Sequence, residues 1–302
     1  MSDVGFEGRV AIITGAGGGL GREHALLLAS RGAQVVVNDL GGAVDGTGSS
    51  AGPAQKVVEE IEALGGAAVA DTNSVATTEG AEAMVKTALD GFGRIDIVIN
   101  NAGILRDKSF KNMTPDLWDP VIAVHLTGAY NVTRAAWPHF CEQAYGRIVS
   151  TSSAAGIFGN FGQANYGAAK MGIVGLTRVW AQEGGKYNIR ANAIAPVART
   201  RMTEEILGPL VEKVDPALVS PVVAYLASED CQVSGEIYSV GAGRVSRIFI
   251  AEAPGFFKKD LTVEDIRDNW EAIRAEGDYA IPTSVNDEFG RLLMPFLSDE
   301  EK

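Results

Sequence analysis

Short apolar runs alternate along this chain with longer segments in which apolar residues recur at helical spacing. The runs are rich in Val, Ile and Ala, which is typical of strands that are buried on both faces. We predict strands at Arg9–Thr14, Gln34–Asn38, Ala67–Ala70, Ile95–Asn100, Arg147–Ser152, Arg190–Ile194 and Glu236–Val240. The helical spacing predicts helices at Gly21–Arg31, Ala54–Leu64, Gly80–Gly91, Leu117–Phe140 and Tyr166–Glu183.

This alternation of strands and helices favours a parallel sheet with helices on both of its faces. Because crossover connections are right-handed, the sheet is wound in both directions from its first strand. The sequence therefore predicts an α/β fold, a doubly wound parallel sheet of the Rossmann type, that forms a single catalytic domain over residues 1–246.

Two stretches depart from the alternation. Gly41–Gly52 is a loop rich in glycine and serine, and it is long for a connection between a strand and a helix. Residues 251–302 contain 13 acidic and 6 basic side chains, and their clearest amphipathic segment is Val263–Ala275, with Thr262 as its N-cap. We interpret residues 247–302 as an acidic C-terminal extension that packs on the substrate opening or on a partner subunit.

Composition narrows the possible functions. The net charge of −12 argues against a nucleic-acid partner, because such proteins neutralise phosphates with an excess of Lys and Arg. No apolar run reaches the roughly 18 residues that a membrane span needs. The two cysteines, Cys141 and Cys231, lack metal-site spacing, so we expect no metal. The first residues do not resemble a signal peptide, and we expect a cytoplasmic protein.

A glycine-rich segment, TGAGGGLG at residues 14–21, lies between the first predicted strand and the first predicted helix. Glycines allow the backbone to turn sharply and to approach a pyrophosphate, while the helix N-terminus offers free N–H groups. We predict that Gly15, Gly19, Leu20 and Gly21 bind a dinucleotide. An ordinary flexible turn is the alternative interpretation.

Asp39 follows the second predicted strand, 18 residues after Gly21. A carboxylate at this place can accept hydrogen bonds from the ribose hydroxyls of the adenosine and repel a 2′-phosphate. The residue therefore favours NAD over NADP as the cofactor. Arg22 is an opposing signal, since a basic side chain near the loop could meet a phosphate, and a turn-forming Asp is the structural alternative.

Tyr166 and Lys170 lie four residues apart, which places a phenol and an ammonium on one face of a helix. A nearby ammonium favours the phenolate, so we expect it to lower the pKa of the tyrosine and make the phenol a usable base. Ser153, thirteen residues before Tyr166, could hydrogen-bond the reacting oxygen. Ser150 and Ser152 are alternatives that spacing alone does not separate from it.

These motifs, with NNAG at 100–103 and the proline after NAIA, resemble those of the short-chain dehydrogenase/reductase family over residues 9–245. The resemblance implies that Ser153 polarises the substrate, that Tyr166 is the general acid or base, and that Lys170 also binds the nicotinamide ribose. It also implies a cofactor wall that consists of Asn73, Ser74, Asn101, Ala102, Gly103, Pro196 and Thr200. Asn73 stands where an aspartate is commoner in the family.

A narrower resemblance is carried by VVVNDLGG at 35–42, VTRAAWPH at 132–139, GNFGQANY at 159–166, VGAGR at 240–244 and DNW at 268–270. It is a resemblance to the (3R)-hydroxyacyl-CoA dehydrogenase unit of peroxisomal multifunctional enzymes. His125 stands where the wider family has the asparagine of a proton relay. The resemblance implies a relay role for His125, and a core histidine bonded to backbone is the alternative.

The leading hypothesis is therefore NAD-dependent oxidation of a (3R)-3-hydroxyacyl-CoA to a 3-ketoacyl-CoA, by a homodimer or homotetramer that binds its small-molecule substrate without nucleic acid or membrane. A hydroxysteroid dehydrogenase with the same catalytic residues is the alternative within enzymes. A non-catalytic NAD-binding scaffold is the alternative from another class, and the Ser153, Tyr166 and Lys170 set argues against it because a scaffold has no use for it.

Overall fold

The computed structural model describes residues 3–199 and 214–299. Its described strands form one eight-stranded sheet. The strands are β1 (Val10–Thr14), β2 (Gln34–Asn38), β3 (Ala67–Asp71), β4 (Ile97–Asn100), β5 (Gly146–Thr151), β6 (Ile189–Val197), β7 (Ile237–Gly241) and β8 (Arg244–Ile248). The seven strands that the apolar runs predict are confirmed, with ends that differ by up to three residues.

Helices cover the connections between these strands. The α-helices in the described part of the first 247 residues are α1 (Gly19–Ser30), α2 (Gly52–Ala63), α3 (Thr78–Phe92), α4 (Pro115–Ile122), α5 (Gly128–Gln143), α6 (Ala154–Phe158), α7 (Ala164–Gly184) and α8 (Ser220–Ala227). The prediction of one regular helix over Leu117–Phe140 is wrong in one respect, since a π-helical segment, Ala123–Thr127, separates α4 from α5.

The strand order is β3-β2-β1-β4-β5-β6-β7-β8, and the neighbouring strands from β3 to β7 pair in parallel. The order reverses between β1 and β4. The strands that follow β1 add toward one edge of the sheet, and those that follow β4 add toward the other edge. In an open parallel sheet, ligands bind outside the carboxyl ends of the strands at such a reversal. The predicted doubly wound sheet is confirmed, and the reversal positions the site.

The core lies on both faces of the sheet because successive side chains of a strand point to opposite faces. Ala11 and Ile13 of β1 pack in a cluster with Leu28, Val57 and other side chains from α1, α2 and α8. Val10 and Ile12 belong to a second cluster, which includes Met84, Val132, Phe140 and Trp180 from α3, α5 and α7. Both faces of the central strands are thus buried, which explains why these strands are almost wholly apolar.

The last strand, β8, was not predicted. Ala242 and Gly243 connect it to β7, and both have positive φ angles, 50° and 76°. A two-residue turn of this kind matches the twist of a hairpin, so β8 runs back antiparallel to β7. Its exposed and half-buried residues (RVSRI) do not give the apolar run of an inner strand.

The chain divides into two compact units. The first unit ends at Arg247, and the second begins at Ile248. The second unit contains α9 (Val263–Asp268), α10 (Trp270–Arg274) and α11 (Val285–Asp299). Thr262 caps α9 in a reciprocal capping box with Asp265, as predicted, whereas the expected single helix is broken at Asn269. None of the helices in the described part of the chain is long and apolar enough to cross a membrane.

Candidate active site

A cavity of about 650 Å³ opens at the carboxyl ends of the strands, on both sides of the reversal. Most of the residues predicted from the sequence line it. They are Gly15, Gly19, Leu20, Asp39, Asn73, Ser74, Asn101, Ala102, Gly103, His125, Ser153, Tyr166, Lys170 and Pro196. Thr200 lies outside the described residues. The structure thus brings residues that follow β1 to β5, together with Pro196 of β6, His125 of the π-helical segment and two residues of α7, to a single opening.

Among the described residues that we predicted to bind the cofactor, Gly21 is the one that does not line the cavity. A Cβ atom at this position would lie 2.3 Å from the carbonyl oxygen of Gly15 and 2.6 Å from the Asn101 amide nitrogen. The missing side chain therefore lets α1 pack closely against the turn that follows β1. Its contribution to the site is to position the glycine segment.

The glycine segment forms a cradle in front of α1. Gly15 has a φ of +65°, and a Cβ there would lie 2.8 Å from the Ala102 Cα. Gly18 is the N-cap of α1 and supplies no capping side chain, and space is open where its Cβ would lie. No acidic residue occupies the first turn of α1. The helix therefore presents N–H groups and positive dipole to this end of the cavity.

Thr14 and Asn101 fasten this cradle to the end of β4. The Thr14 hydroxyl accepts hydrogen bonds of 3.0 Å from the backbone N–H groups of Asn101 and Ala102. The Asn101 amide donates to the carbonyl oxygens of Thr14 and Gly15, at 3.0 and 3.1 Å. The side chain of Asn101 is thus engaged in holding the loop.

Asp39 stands at the rim of the cavity beside the cradle. Its two carboxylate oxygens accept hydrogen bonds from the backbone N–H groups of Gly17 (2.8 Å) and Gly41 (2.7 Å). Each oxygen retains acceptor capacity for a further donor. Arg22, the opposing signal in the sequence, does not line the cavity and pairs with Glu60, at 2.8 Å from its Nε, and with Glu23.

A buried polar network behind this rim was missed by sequence reasoning. Asp71, at the end of β3, is 4% exposed and accepts hydrogen bonds from the side-chain amides of Asn38 (2.7 Å) and Asn73 (2.8 Å). The hydroxyl of Thr87 donates to the same carboxylate at 3.0 Å. The network fixes Asn73 at the cavity wall. The sequence signal for this network was a pair of polar residues, Asn38 and Asp71, at the carboxyl ends of β2 and β3.

Residues 41–51, which we name the strap, extend from Asp39 toward the segment that follows β4. The backbone N–H of Leu105 donates to the Val44 carbonyl at 3.0 Å, and the Arg106 Nε donates to the Asp45 carbonyl at 2.8 Å. Since β1 lies between β2 and β4, the strap crosses the end of the sheet where the cradle lies. It contributes its own residues to the cavity wall.

The structure separates the three candidate serines. Ser150 and Ser152 are buried, and their hydroxyl groups contact the Asn100 amide (3.3 Å) and the Lys170 carbonyl (2.8 Å). Ser153 is the N-cap of α6, where its hydroxyl accepts from the Ala155 N–H at 3.2 Å. Ser153 also hydrogen-bonds with the phenol of Tyr166. Of the three, Ser153 is thus the serine whose hydroxyl contacts the phenol.

Tyr166 and Lys170 lie one turn apart on α7, as predicted. Burial raises the pKa of the Tyr166 phenol, and the hydrogen bond with Ser153 acts in the opposite direction. The expected lowering of this pKa by Lys170 is absent, because the Lys170 ammonium donates to the Thr151 carbonyl at 2.5 Å and lies 5.4 Å from the phenol ring centroid. Burial lowers the pKa of Lys170 to about 7.

His125 lies in the π-helical segment and is 3% exposed. Its Nε2 is 2.8 Å from the Ile104 carbonyl oxygen, and its Nδ1 has no hydrogen-bond partner among the described residues. The ring packs edge-on against Tyr166, with centroids 5.1 Å apart. Burial and the charge of Lys170 hold the pKa of His125 well below its usual value. The structure thus shows a backbone-bonded histidine against the tyrosine, and its relay role stays a prediction.

The model of the short chain dehydrogenase family matches residues 9–208. The chain is a short-chain dehydrogenase. The matched range includes the cradle, Asp39 and the whole Ser153, Tyr166 and Lys170 set. Across residues 3–199 and 214–299, this dehydrogenase has no group of three or more His, Cys, Asp or Glu residues that could hold a metal ion.

Three relatives show which members of the short-chain dehydrogenase family this chain is similar to. A short-chain type dehydrogenase/reductase of Mycobacterium tuberculosis is 55% identical over 89% of this chain and 95% of its own. The peroxisomal multifunctional enzyme type 2 of Mus musculus is 50% identical over 97% of this chain, which spans 40% of that enzyme. A hydroxyacyl-CoA dehydrogenase of Mycobacterium tuberculosis is 41% identical, with 86% of each chain covered.

Two solved structures are similar to the dehydrogenase. Full-length peroxisomal multifunctional enzyme type 2 from Drosophila melanogaster matches with a TM-score of 0.83 and 37% identity, over 98% of this chain and 50% of that one. A 7α-hydroxysteroid dehydrogenase in complex with NADH and 7-oxo glycochenodeoxycholic acid matches with a TM-score of 0.73 and 29% identity, over 80% and 98%. The closer resemblance is to the dehydrogenase units of the multifunctional enzymes.

Proposed function

We propose that this dehydrogenase oxidises (3R)-3-hydroxyacyl-CoA to 3-ketoacyl-CoA with NAD, in the degradation of fatty acids or sterol side chains. The observation that carries the proposal is the convergence of Ser153, Tyr166 and Lys170 on one cavity that has Asp39 at its rim. A base, an oxygen-binding hydroxyl and a carboxylate for ribose are the groups that this oxidation requires.

The residues present fit a dinucleotide. The open space at Gly18 and the free N–H groups of α1 suit a pyrophosphate. Asp39 is held by two backbone donors with acceptor capacity to spare, which suits a 2′-hydroxyl and opposes a 2′-phosphate. Arg22 is already paired with two carboxylates. These contacts favour NAD over NADP.

When bound, the nicotinamide supplies the acceptor for the hydride that leaves the alcohol carbon. Tyr166 takes the proton of the hydroxyl group, and Ser153 holds the reacting oxygen through a hydrogen bond. Lys170, one helical turn after the tyrosine and buried, would hold the nicotinamide ribose, which is the role that the family resemblance implies for it. Gly103 leaves room for His125, whose Cε1 would lie 2.3 Å from a Cβ at this position.

The substrate class rests on the relatives. Two proteins that match most of this chain are named a peroxisomal multifunctional enzyme and a hydroxyacyl-CoA dehydrogenase, at 50% and 41% identity. The second candidate is a hydroxysteroid dehydrogenase, which the likeness to the 7α-hydroxysteroid enzyme at 29% identity favours. A non-catalytic scaffold is disfavoured, because it has no use for a Ser153 hydroxyl that is hydrogen-bonded to the Tyr166 phenol at the cavity.

The deciding experiment follows NAD reduction at saturating cofactor with (3R)- and (3S)-3-hydroxyacyl-CoA and with hydroxysteroids oxidised at several ring positions. We expect turnover of the (3R) esters, little turnover of the (3S) esters, and a clear preference for NAD over NADP. Turnover confined to steroids would support the second candidate. Cofactor binding without turnover of any alcohol would support the scaffold.

We also propose that the dehydrogenase works as a homodimer or homotetramer in the cytoplasm. Twelve large apolar side chains from Phe256 to Met294 are at least 36% exposed, which is more than an isolated chain usually leaves uncovered. A second copy of the chain would cover apolar surface of this kind. Sedimentation equilibrium at micromolar concentration distinguishes the dimer and tetramer from a monomer.

A further inference from the structure

Three strongly exposed phenylalanine side chains lie in the segments next to Asn160 and Gln163, two residues that line the cavity. Phe110, Phe158 and Phe161, which we name the aromatic rim, are 79%, 73% and 91% exposed. A single exposed apolar residue is common on protein surfaces, whereas a group of large aromatic residues beside a cavity marks a surface that binds something.

Two members of the aromatic rim, Phe158 and Phe161, lie at the end of α6 and in the loop that follows it. Ser153 is the N-cap of α6, and Phe158 is the last residue of that helix. At 1.5 Å per residue, the helix separates their backbones by roughly 7.5 Å. Phe161 follows in the loop between α6 and α7, and its neighbours Asn160 and Gln163 line the cavity.

Phe110 reaches the same place from the other side of the opening. The backbone N–H of Lys108 donates to the Gly162 carbonyl at 2.8 Å, and the Gln163 amide donates to the Asp107 carboxylate at 2.7 Å. These bonds hold the segment after β4 beside the loop between α6 and α7. The aromatic rim is therefore formed by two segments that are fastened together at the cavity.

We infer that the aromatic rim binds the acyl chain of the substrate and makes the dehydrogenase selective for long chains. The inference rests on the proposed function. Phenylalanine rings provide no hydrogen-bond donor or acceptor, so they suit the aliphatic part of an acyl-CoA better than its amide- and phosphate-bearing part. An acyl chain that starts at the carbon held by Ser153 and Tyr166 meets the aromatic rim as it leaves the cavity.

The test measures kcat/KM for (3R)-3-hydroxyacyl-CoA esters of four to sixteen carbons in the wild type, Phe158→Ser, Phe161→Ser and the double variant. In the wild type, kcat/KM rises about two- to fourfold for each methylene that contacts the aromatic rim. The variants flatten this rise and affect the sixteen-carbon ester more than the four-carbon ester. Leu64→Ser is the matched control, since Leu64 is 72% exposed at the end of α2 and should leave the rise unchanged.

A second measurement separates this inference from the proposed function. Isothermal titration of hexadecanoyl-CoA into the protein with NADH should show about tenfold weaker binding in the double variant than in the wild type. If no hydroxyacyl-CoA is oxidised but this difference appears, the proposed function fails and the aromatic rim stands. An unchanged chain-length dependence and unchanged binding in the variants would overturn the inference. So would dissociation of the oligomer in Phe161→Ser, since the ring would then be a subunit contact.

Discussion

Tyr166 and Lys170 are held in surroundings that disfavour charge on either of them. Burial raises the pKa of the phenol and lowers the pKa of the ammonium to about 7. At neutral pH the phenol is therefore protonated, whereas Lys170 is close to the midpoint of its own titration. The sequence could predict the pair but not the sign of the tyrosine shift, because that sign depends on burial.

Replacing the phenol tests its role directly. We expect Tyr166→Phe to lower kcat by about 10²- to 10⁴-fold, since general-base catalysis contributes that much. The dissociation constant for NAD should change little, because the hydroxyl acts on the proton of the alcohol. Stopped-flow kinetics and fluorescence titration measure the two quantities. A variant that keeps more than about a tenth of wild-type kcat would contradict the assignment.

The pH dependence follows from the raised pKa of Tyr166. Oxidation needs the phenolate, and its fraction grows about tenfold per pH unit below the pKa of the group. We therefore expect kcat/KM for oxidation to rise between about pH 6 and about pH 9, whereas kcat/KM for reduction of the ketone, which needs the protonated phenol, changes little over this range. Rate profiles in both directions check this. A plateau for oxidation that is reached already below neutral pH would be the contrary result.

Asp39 is expected to decide between the two cofactors. Asp39→Ala removes a carboxylate that two backbone N–H groups hold in place, so the KM for NAD should rise by an amount equivalent to about 1.5–3 kcal/mol. NADP should gain relative to NAD, because the repulsion of its 2′-phosphate is lost. The comparison uses initial rates with both cofactors, and Asp45→Ala on the strap serves as a control. A wild type that prefers NADP would refute this assignment.

At the scale of elements, the apolar runs were the reliable signal. The strand Gln34–Asn38 was predicted with its observed ends, because all but its first residue are buried and the pattern is unbroken. The π-helical segment that holds His125 could not be predicted, since the apolar spacing continues across it and the contact with Ile104 is made 21 residues away. The apolar pattern does not predict α6, because this helix has five residues and none of them is buried.

Other elements were missed although the sequence carried a signal for them. α8 begins Ser220-Pro221, and a proline in the first turn is a common helix start. α11 follows Ser284, whose hydroxyl accepts the Asp287 N–H at 3.2 Å, a spacing typical of an N-cap. The strand β8 gave a weaker signal, since Ala242 adopts a positive φ that its residue type does not indicate.

A buried histidine between two helices predicts how stability depends on pH. His24 of α1 is fully buried, with its Nδ1 2.8 Å from the Ser220 hydroxyl of α8, and its Nε2 has no hydrogen-bond partner within residues 3–199 and 214–299. Burial lowers the pKa of His24 to about 3. Because the unfolded chain binds this proton first, the histidine reduces the free energy of unfolding as the pH falls below about 6.5.

The variant His24→Asn keeps a side chain that can bond to Ser220 and removes the titration. Between about pH 7 and about pH 5, its free energy of unfolding should fall by about 2 kcal/mol less than that of the wild type. Urea unfolding at both pH values measures the difference, with His139→Asn as a comparison. Equal losses in wild type and His24→Asn would show that His24 does not bind its proton as the buried site requires.

At the scale of the molecule, residues 248–302 form a compact unit without a core of their own. Among the described side chains from 248 to 294, none is buried, and Val263 and Met294 are 80% and 65% exposed. A segment this small with no buried residue is not expected to be stable alone. That the extension borders the substrate opening of its own chain or of a partner subunit stays a prediction. It would give the extension a role in substrate binding.

Deletion of residues 251–302 tests that role. We expect the KM for the acyl substrate to rise much more than the KM for NAD, because the cradle and Asp39 belong to the first unit. Circular dichroism and sedimentation show whether the shortened protein still folds and associates. If it stays folded and oligomeric with both KM values unchanged, the extension has no part in substrate binding.

The strand order has a consequence for the way in which the sheet is built during synthesis. The first hundred residues supply β1 to β4, which are neighbours at one side of the sheet, and β5 to β8 then add one after another at the β4 edge in chain order. Each new strand can therefore pair with its predecessor as it leaves the ribosome, without waiting for a distant segment. A nascent chain that pauses before Gly146 exposes the apolar, unpaired edge of β4, and that edge is where a chaperone or another nascent chain would bind first.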